Sequence, residues 1–373
     1  MKKIPTVRGA NLGNWLVLEK WMSPSMFEGT EALDEYHLAR SLPEDVYRER
    51  IRRHRAEYIT EHDFALLHQW GFNAVRIPIP YSVFGDCSPY LGCIEELDRA
   101  FTWAEQWGLK ILLDLHMVPG SQNGFDNGGI CGVCKWATDE ENVSFTLGVL
   151  HRLALRYGKR DGLWGIEALN EPITDALTGD IPWDKVWITS VYPPKDPKEA
   201  EGSAPIKMEF LRKFYEDAYA ATVPYMADDK YFVFHDAFRT ALWKDFMQGD
   251  RWKNAVLDTH FYLSNAEVGG CEKTPEGYEA VLNGHFVKLF RDMSEHFPII
   301  CGEWCIDNSY IKTLTDPKQR DDVLRRLAKV QEETWEQGSG WFYWNYKTLS
   351  DDPALDTWDV GKCILHGWME PMR

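Results

Sequence analysis

Short, continuous apolar runs alternate along this chain with longer stretches whose apolar residues recur every three or four positions. The runs cover 8–15, 72–78, 110–116, 163–168, 231–236, 255–262, 298–304 and 340–345, and most lead into a polar or titratable residue. Apolar runs of this length read as strands buried on both faces, whereas the 3.6-residue period reads as amphipathic helix. Thr60, with Asp63 three residues later, opens one helix. Phe64, Leu67 and Trp70 give it an apolar stripe, and Gly71 stops it. Further helices are predicted over 95–107, 139–157, 208–225, 275–296 and 316–337, and the polar stretch up to about Arg55 also reads as helical. About eight strands separated by helices imply a parallel sheet. A closed (β/α)8 TIM barrel, as a single domain over 1–373 with long loops at the C-terminal face of the strands, fits that count. A doubly wound open sheet would carry a glycine-rich phosphate turn after an early strand, and none is visible.

Three segments fall outside the alternation. The stretch 119–132 is a Gly/Asn-rich loop, 175–205 is proline-rich and irregular, and the tail from Asp351 offers at most a short closing helix. Long loops in a compact domain generally shape a site, so 175–205 is expected to act as a lid or subsite loop.

Charge narrows the ligand. With 41 Lys+Arg against 58 Asp+Glu the net charge is −17, which disfavours nucleic acid and suits a neutral substrate. The 17 Trp, 16 Tyr and 18 Phe favour a carbohydrate, whose C–H faces stack on aromatic rings, although an aromatic-rich core is the plainer account. No apolar stretch is long enough to span a membrane. Met1-Lys2-Lys3 resembles the start of a leader, but no apolar segment follows, so a cytoplasmic location is expected. The eight cysteines then read as mainly reduced thiols, and Cys131-Gly132-Val133-Cys134 as a loop feature rather than a zinc or redox motif.

The strand ends carry the chemistry. They present Arg76, His116, Asn170 with Glu171, His260 with Tyr262, Glu303 and Trp344. Each alone has a structural explanation, but six polar or aromatic strand ends on one rim describe the mouth of a barrel enzyme. Glu171 and Glu303 stand 132 residues apart, which puts them on the fourth and seventh strands, facing one another. Paired carboxylates so placed suit glycoside hydrolysis, with retention at about 5–5.5 Å separation and inversion at about 6.5–9.5 Å.

The segments RGANLGNWLVLEKW, GFNAVRIPIPY, LLDLHMVPGSQNGFDNGG, LNEP, HDAF, THFY, CGEW and GWFYWNYKT run in order through nearly the whole chain. Together they resemble glycoside hydrolase family 5, in particular its exo-β-1,3-glucanase and β-glucosidase branch. The resemblance implies a retaining enzyme in which Glu171 is the general acid/base and Glu303 the nucleophile. It also implies sugar-binding roles for Glu19, Arg76, His116, Phe125, Asp126, Asn127, Asn170, His260, Tyr262 and Trp344. Asn170 would bind the 2-hydroxyl, and Trp344 would form the floor under the sugar. No metal or cofactor is called for. Arg76 and Tyr262 are expected to hold Glu303 anionic, while burial and the nearby anion keep Glu171 protonated.

Three positions depart from the family pattern. Met117-Val118 replaces Gly-Ala. Asn265 stands where a second phenylalanine would pair with Phe125 around the leaving sugar. The segment KTLSDDPALDTWD is long and acidic. The expected activity is therefore exo-hydrolysis of short β-glucosides or β-glucan oligosaccharides. The alternatives are an endo-β-glucanase or a β-glycosidase that releases a mono- or disaccharide from plant aromatic glycosides. A non-catalytic sugar-binding barrel is opposed by the presence of both glutamates, and a phosphate-handling barrel enzyme by the lack of a glycine-rich grip near the last two strands.

Overall fold

The computed structural model describes residues 4–372, so Met1, Lys2 and Lys3 of the leader-like start lie outside the described residues. Eight parallel strands close into a barrel in sequence order. They are β1 (Val7–Asn11), β2 (Ala74–Pro80), β3 (Lys110–Met117), β4 (Leu163–Glu167), β5 (Tyr231–His235), β6 (Ala255–His260), β7 (Ile299–Trp304) and β8 (Gly340–Tyr343). β1 pairs with both β2 and β8, which closes the ring. The expected (β/α)8 architecture is the one observed.

The helices follow the periodicity closely. Helix Glu61–Gln69 starts where Asp63 accepts the Thr60 N–H at 2.6 Å. Helix Ile94–Trp107 ends at Gly108, which takes a left-handed φ of 70°. The predicted helix over 275–296 is interrupted by a π-helical turn at Leu282–Phe286, and the polar stretch before Arg55 divides into Glu35–Ser41 and Glu44–Tyr58. No helix among the described residues is long and apolar enough to cross a membrane.

Period-two alternation stacks the barrel interior in layers. The lower layer is apolar, with Ala74, Leu112, Val256, Ile300 and Phe342 in one buried cluster. Two residues further along β2, β3 and β6 come Arg76, Asp114 and Asp258, all without solvent exposure. One further step brings His116 and His260 to the mouth. Arg76 is therefore not at a strand end, as the sequence pattern suggested, but within β2, below the rim. β4 also stops earlier than expected, at Glu167, and Asn170 and Glu171 lie in the turn beyond it.

That turn is held from the neighbouring loop. Gln122, fully buried, donates from Nε2 to the carbonyls of His116 (2.8 Å) and Asn170 (2.9 Å). Asn170 N–H donates to Leu115 O at 3.1 Å, and Ile173 N–H to Gln122 O at 3.1 Å. Removing one partner of a buried hydrogen bond leaves the other to bear its desolvation cost, about 1–3 kcal/mol each. Gln122→Leu is therefore expected to lower unfolding free energy by about 2–4 kcal/mol. A urea midpoint equal to that of the wild type would show that the two exits hold their positions without it.

Candidate active site

Arg76 is the centre of the site. Its guanidinium donates to Glu167 Oε2 (2.8 Å), Glu303 Oε1 (2.8 Å), Asn170 Oδ1 (2.8 Å) and Asn11 Oδ1 (3.0 Å), and lies 3.1 Å from Asp114 Oδ2. The pairs are fully or nearly fully buried, where charge-assisted bonds are strong and an unpaired ion is very costly. Of these partners Asn11, Asp114 and Glu167 were not singled out from sequence. Their positions on the inner face of β1, β3 and β4 become legible only once the strand register is known.

Glu303, at the end of β7, accepts a second bond at Oε2 from the Tyr262 hydroxyl, 2.7 Å away. Glu171 sits opposite. Its Oε1 lies 2.9 Å from His260 Nδ1, and its Oε2 accepts a long bond from Asn127 Nδ2 at 3.5 Å. Because His260 Nδ1 is also 3.6 Å from Glu303 Oε2, the two facing carboxyl oxygens lie no farther apart than both contacts combined, about 6.5 Å. Glu171 has a φ of 44°, a left-handed conformation rare for a residue with a long side chain. Such strain costs about 1–3 kcal/mol and persists where surrounding bonds over-determine it. The Gln122 and Leu115 bonds do so here.

The protonation pattern corrects the expectation drawn from sequence. Burial raises the Glu303 carboxyl, His260 and Arg76 oppose that, Glu171 adds to it, and the net direction is upward. Burial also pushes Glu171 up, but the hydrogen bond and charge of His260, with His116 and Arg76, outweigh it and hold this carboxyl below its usual range. Burial alone would lower His260, yet Glu303, Asp258 and Glu171 around it raise the imidazole well above its ordinary value. The surroundings thus favour the charged form of His260, whose Nδ1 faces Glu171. The sequence reading had assigned His260 only a supporting bond, since a linear chain does not reveal that its Nδ1 faces the acid.

The remaining predicted residues converge. His116 directs Nδ1 to Asp114 Oδ2 (2.5 Å), lies 3.4 Å from Asn170 Nδ2 through Nε2, and stacks on Trp344 with centroids 5.7 Å apart and planes 7° from parallel. Gly13 allows the Trp344 ring to seat, since a Cβ there would stand 2.8 Å from it. Gly302 serves a similar purpose, because a Cβ would meet Asp258 Oδ2 at 2.0 Å, where Asp258 Oδ1 accepts the Gly302 N–H at 2.6 Å. Glu19 is buried and accepts from Trp21 Nε1 at 2.8 Å. Burial and the carboxylates of Asp126, Glu303 and Glu171 push it well above its usual range, which places it in the same pocket. Asp126 is raised to about 6, chiefly by burial. Phe125 packs in the loop beside it, 8% exposed.

The acidic tail takes part as well. Trp358 meets Tyr262 at 5.2 Å and Trp21 at 5.4 Å between ring centroids, bracing the donors to Glu303 and Glu19. Asn265 turns its Oδ1 back to the Tyr262 N–H at 2.9 Å. All eight cysteines are free. Burial raises both the Cys131 and the Cys134 thiols, the reverse of a reactive thiolate. Glu171, His235 and His260, and likewise Glu167, Asp258 and His260, offer ligand atoms within 4.8 Å of one another, and in the second group Glu167 is already bound by the Arg76 guanidinium. A cavity of about 790 Å³ lies within the 175–207 segment, and neither Glu171 nor Glu303 lines it.

Comparison with known proteins agrees with this geometry. Residues 48–194 match the family description Cellulase (glycosyl hydrolase family 5). Glucan 1,3-beta-glucosidase 1 of Schizosaccharomyces pombe is 31% identical over 395 residues, covering 97% of this chain and 87% of the relative. The probable glucan 1,3-beta-glucosidase A of Aspergillus niger is 31% identical over 393 residues, covering 96% and 86%. Among solved structures, a rutinosidase from Aspergillus niger superposes with a TM-score of 0.74 at 21% identity, covering 97% of each chain. An endoglucanase from Thermotoga maritima superposes at 0.52 with 16% identity, covering 96% of each. With this coverage, and with two buried glutamates facing each other at the ends of the fourth and seventh strands, the chain belongs to glycosyl hydrolase family 5 and is a glycoside hydrolase.

Proposed function

We propose that this glycoside hydrolase is a retaining, exo-acting β-glucosidase on short β-glucosides and β-glucan oligosaccharides, with Glu303 as nucleophile and Glu171 as general acid/base. The observation that carries the reading is the single imidazole nitrogen bridging Glu171 and Glu303, which keeps the facing oxygens within about 6.5 Å. That bound removes all but the lower edge of the inverting range of about 6.5–9.5 Å and admits the retaining separation of about 5–5.5 Å.

In this reading Glu303 attacks the anomeric carbon while the glycosidic oxygen takes a proton from Glu171, and an α-linked glycosyl ester forms. Tyr262 and Arg76 hold the attacking carboxylate in place through its two oxygens. Entry of a sugar fills the cleft, and the proton held between His260 and Glu171 moves to the departing oxygen. Esterification removes the negative charge of Glu303, so Glu171 can then take a proton from water, which attacks the ester and releases a β-configured sugar. Asn170, held at Oδ1 by Arg76 and in contact with His116 Nε2 through Nδ2, keeps one amide N–H for the 2-hydroxyl. Glu19, a buried carboxyl bonded to Trp21, is placed to bind hydroxyls of the terminal sugar, which favours exo action.

Glu303→Gln and Glu171→Gln are each expected to lower kcat on an aryl β-glucoside by about 10³-fold or more, since each removes one of two interdependent steps. Proton NMR of the wild-type reaction should show the β-anomer first, and an α-anomer appearing first would overturn retention. The pH profile of kcat/KM carries a separate expectation. Its acid limb is protonation of Glu303, raised above an ordinary carboxyl, and its alkaline limb is loss of the His260–Glu171 proton. Because His260 is raised, the proton is retained below that limb and lost above it, so the limb lies above the usual histidine value of about 6.5. His260→Asn should move the alkaline limb to lower pH; an unmoved limb would assign it to another group.

A further inference from the structure

The wall of the cleft beside Glu171 comes from a segment with no part in the barrel. The segment leaves and returns through an isolated parallel bridge between Thr174 and Ile206. It is pinned to the glycine-rich loop by Trp183, 5% exposed, whose Nε1 donates to Gly132 O at 2.8 Å. Gly124 accommodates that indole, since a Cβ there would stand 2.7 Å from it. On this base two further rings close on Phe125, with Tyr192 at 5.3 Å and 48°, and Trp187 at 6.0 Å and 39°.

These rings form a continuous surface from the acid outward. Phe125 is two residues before Asn127, whose amide reaches Glu171. Tyr192 packs on Phe125, and burial, followed by the carboxylates of Asp126, Glu19 and Glu171, raises its phenol. Trp187, also packed on Phe125, is 53% exposed. Val191, 58% exposed, follows one turn later, its N–H bonded to Trp187 O at 3.3 Å. A large indole left half in water against Phe125 gains from a ligand that covers it.

We infer that Phe125, Tyr192 and Trp187 form a leaving-group platform that selects β-glucosides of planar aromatic alcohols over those whose leaving group is a sugar. The inference rests on the β-glucosidase reading above and names its substrate class. A leaving sugar needs partners for its hydroxyls, and the outer part of this wall offers an indole face and the aliphatic Val191. On the Tyr262 side, Asn265 spends its amide oxygen on its own backbone, where a second ring would be needed to grip a pyranose from both faces. A phenolic ring has a single bridging oxygen, which receives the Glu171 proton. The rest of it can lie offset on Phe125 and Trp187 with no polar group left unpaired.

The test compares wild type and Trp187→Ala by kcat/KM on three substrates: β-glucosyl fluoride, 2-naphthyl β-glucoside and the β-1,3-linked glucose disaccharide. Taking the variant-to-wild-type ratio for each substrate cancels its intrinsic reactivity. The loss on the naphthyl glucoside should exceed that on the fluoride by about tenfold or more, equivalent to about 1.4 kcal/mol. It should also exceed the loss on the disaccharide, and Trp187→Phe should recover most of it. Equal losses on all three substrates, no loss, or the largest loss on the disaccharide would each overturn the platform. The fluoride carries no aglycone, so a wild-type enzyme inert toward it would refute the glucosidase reading itself. Activity on the fluoride without activity on the naphthyl glucoside would refute the platform alone.

Discussion

Five polar groups from four different strands and one strand exit meet on the guanidinium of Arg76, and the rest of the site depends on that junction. A buried arginine with this many carboxylates around it is a poor source of net stability, because desolvating the ions offsets much of their attraction. Its value lies in geometry. The planar fork can satisfy Glu303, Glu167 and Asn170 together only if β2, β4 and β7 keep their relative heights, so the ion cluster sets barrel register as well as charge. The apolar layer beneath it excludes water and makes any loss of a partner expensive.

The two glutamates, chemically identical, are distinguished by what reaches them. Glu303 has a cation and a phenol fixed on its two oxygens, both from residues rigidly mounted on or beside strands. Glu171 has an imidazole and a long amide contact, and it sits on a strained turn. The first arrangement constrains direction of attack; the second leaves a proton free to move. His260 is the hinge between them, close enough to both carboxylates to carry the charge that neither can hold easily in a buried pair.

The sequence disclosed the barrel because its evidence is local. Apolar runs, helix stripes and stop signals such as Gly108 are written in consecutive residues, and the eight strands fall where those runs lie. It also disclosed the rim residues that stand next to a strand end, such as Glu171, His260 and Glu303. Hidden from it were the inward residues one layer down. Asp114 and Glu167 look like ordinary acidic residues in apolar runs until register shows both against Arg76. The opposite directions of the Glu171 and Glu303 carboxyls are hidden for a related reason, since they depend on which nitrogen of His260 faces which oxygen. Gln122 and Trp358 were passed over because their partners lie in distant segments.

The division of labour between barrel and loops follows from these differences. The two glutamates, Asn170, His116 and His260 are mounted on strands or on the turn braced by them, in contact with Arg76, with one of its partners or, for Glu171, with His260. The leaving-group side is mounted on 119–132 and 175–205, joined to each other by Trp183, and Glu199 of the second loop also lies 3.0 Å from His37 of helix Glu35–Ser41. That wall can change its composition without disturbing the carboxylate pair, because no barrel residue depends on Trp187 or Val191 for a hydrogen bond, whereas the pair depends on Arg76, Tyr262 and His260. Chemistry in this chain is thus constrained by a buried charge network, and leaving-group choice is held by an aromatic surface that the network does not feel.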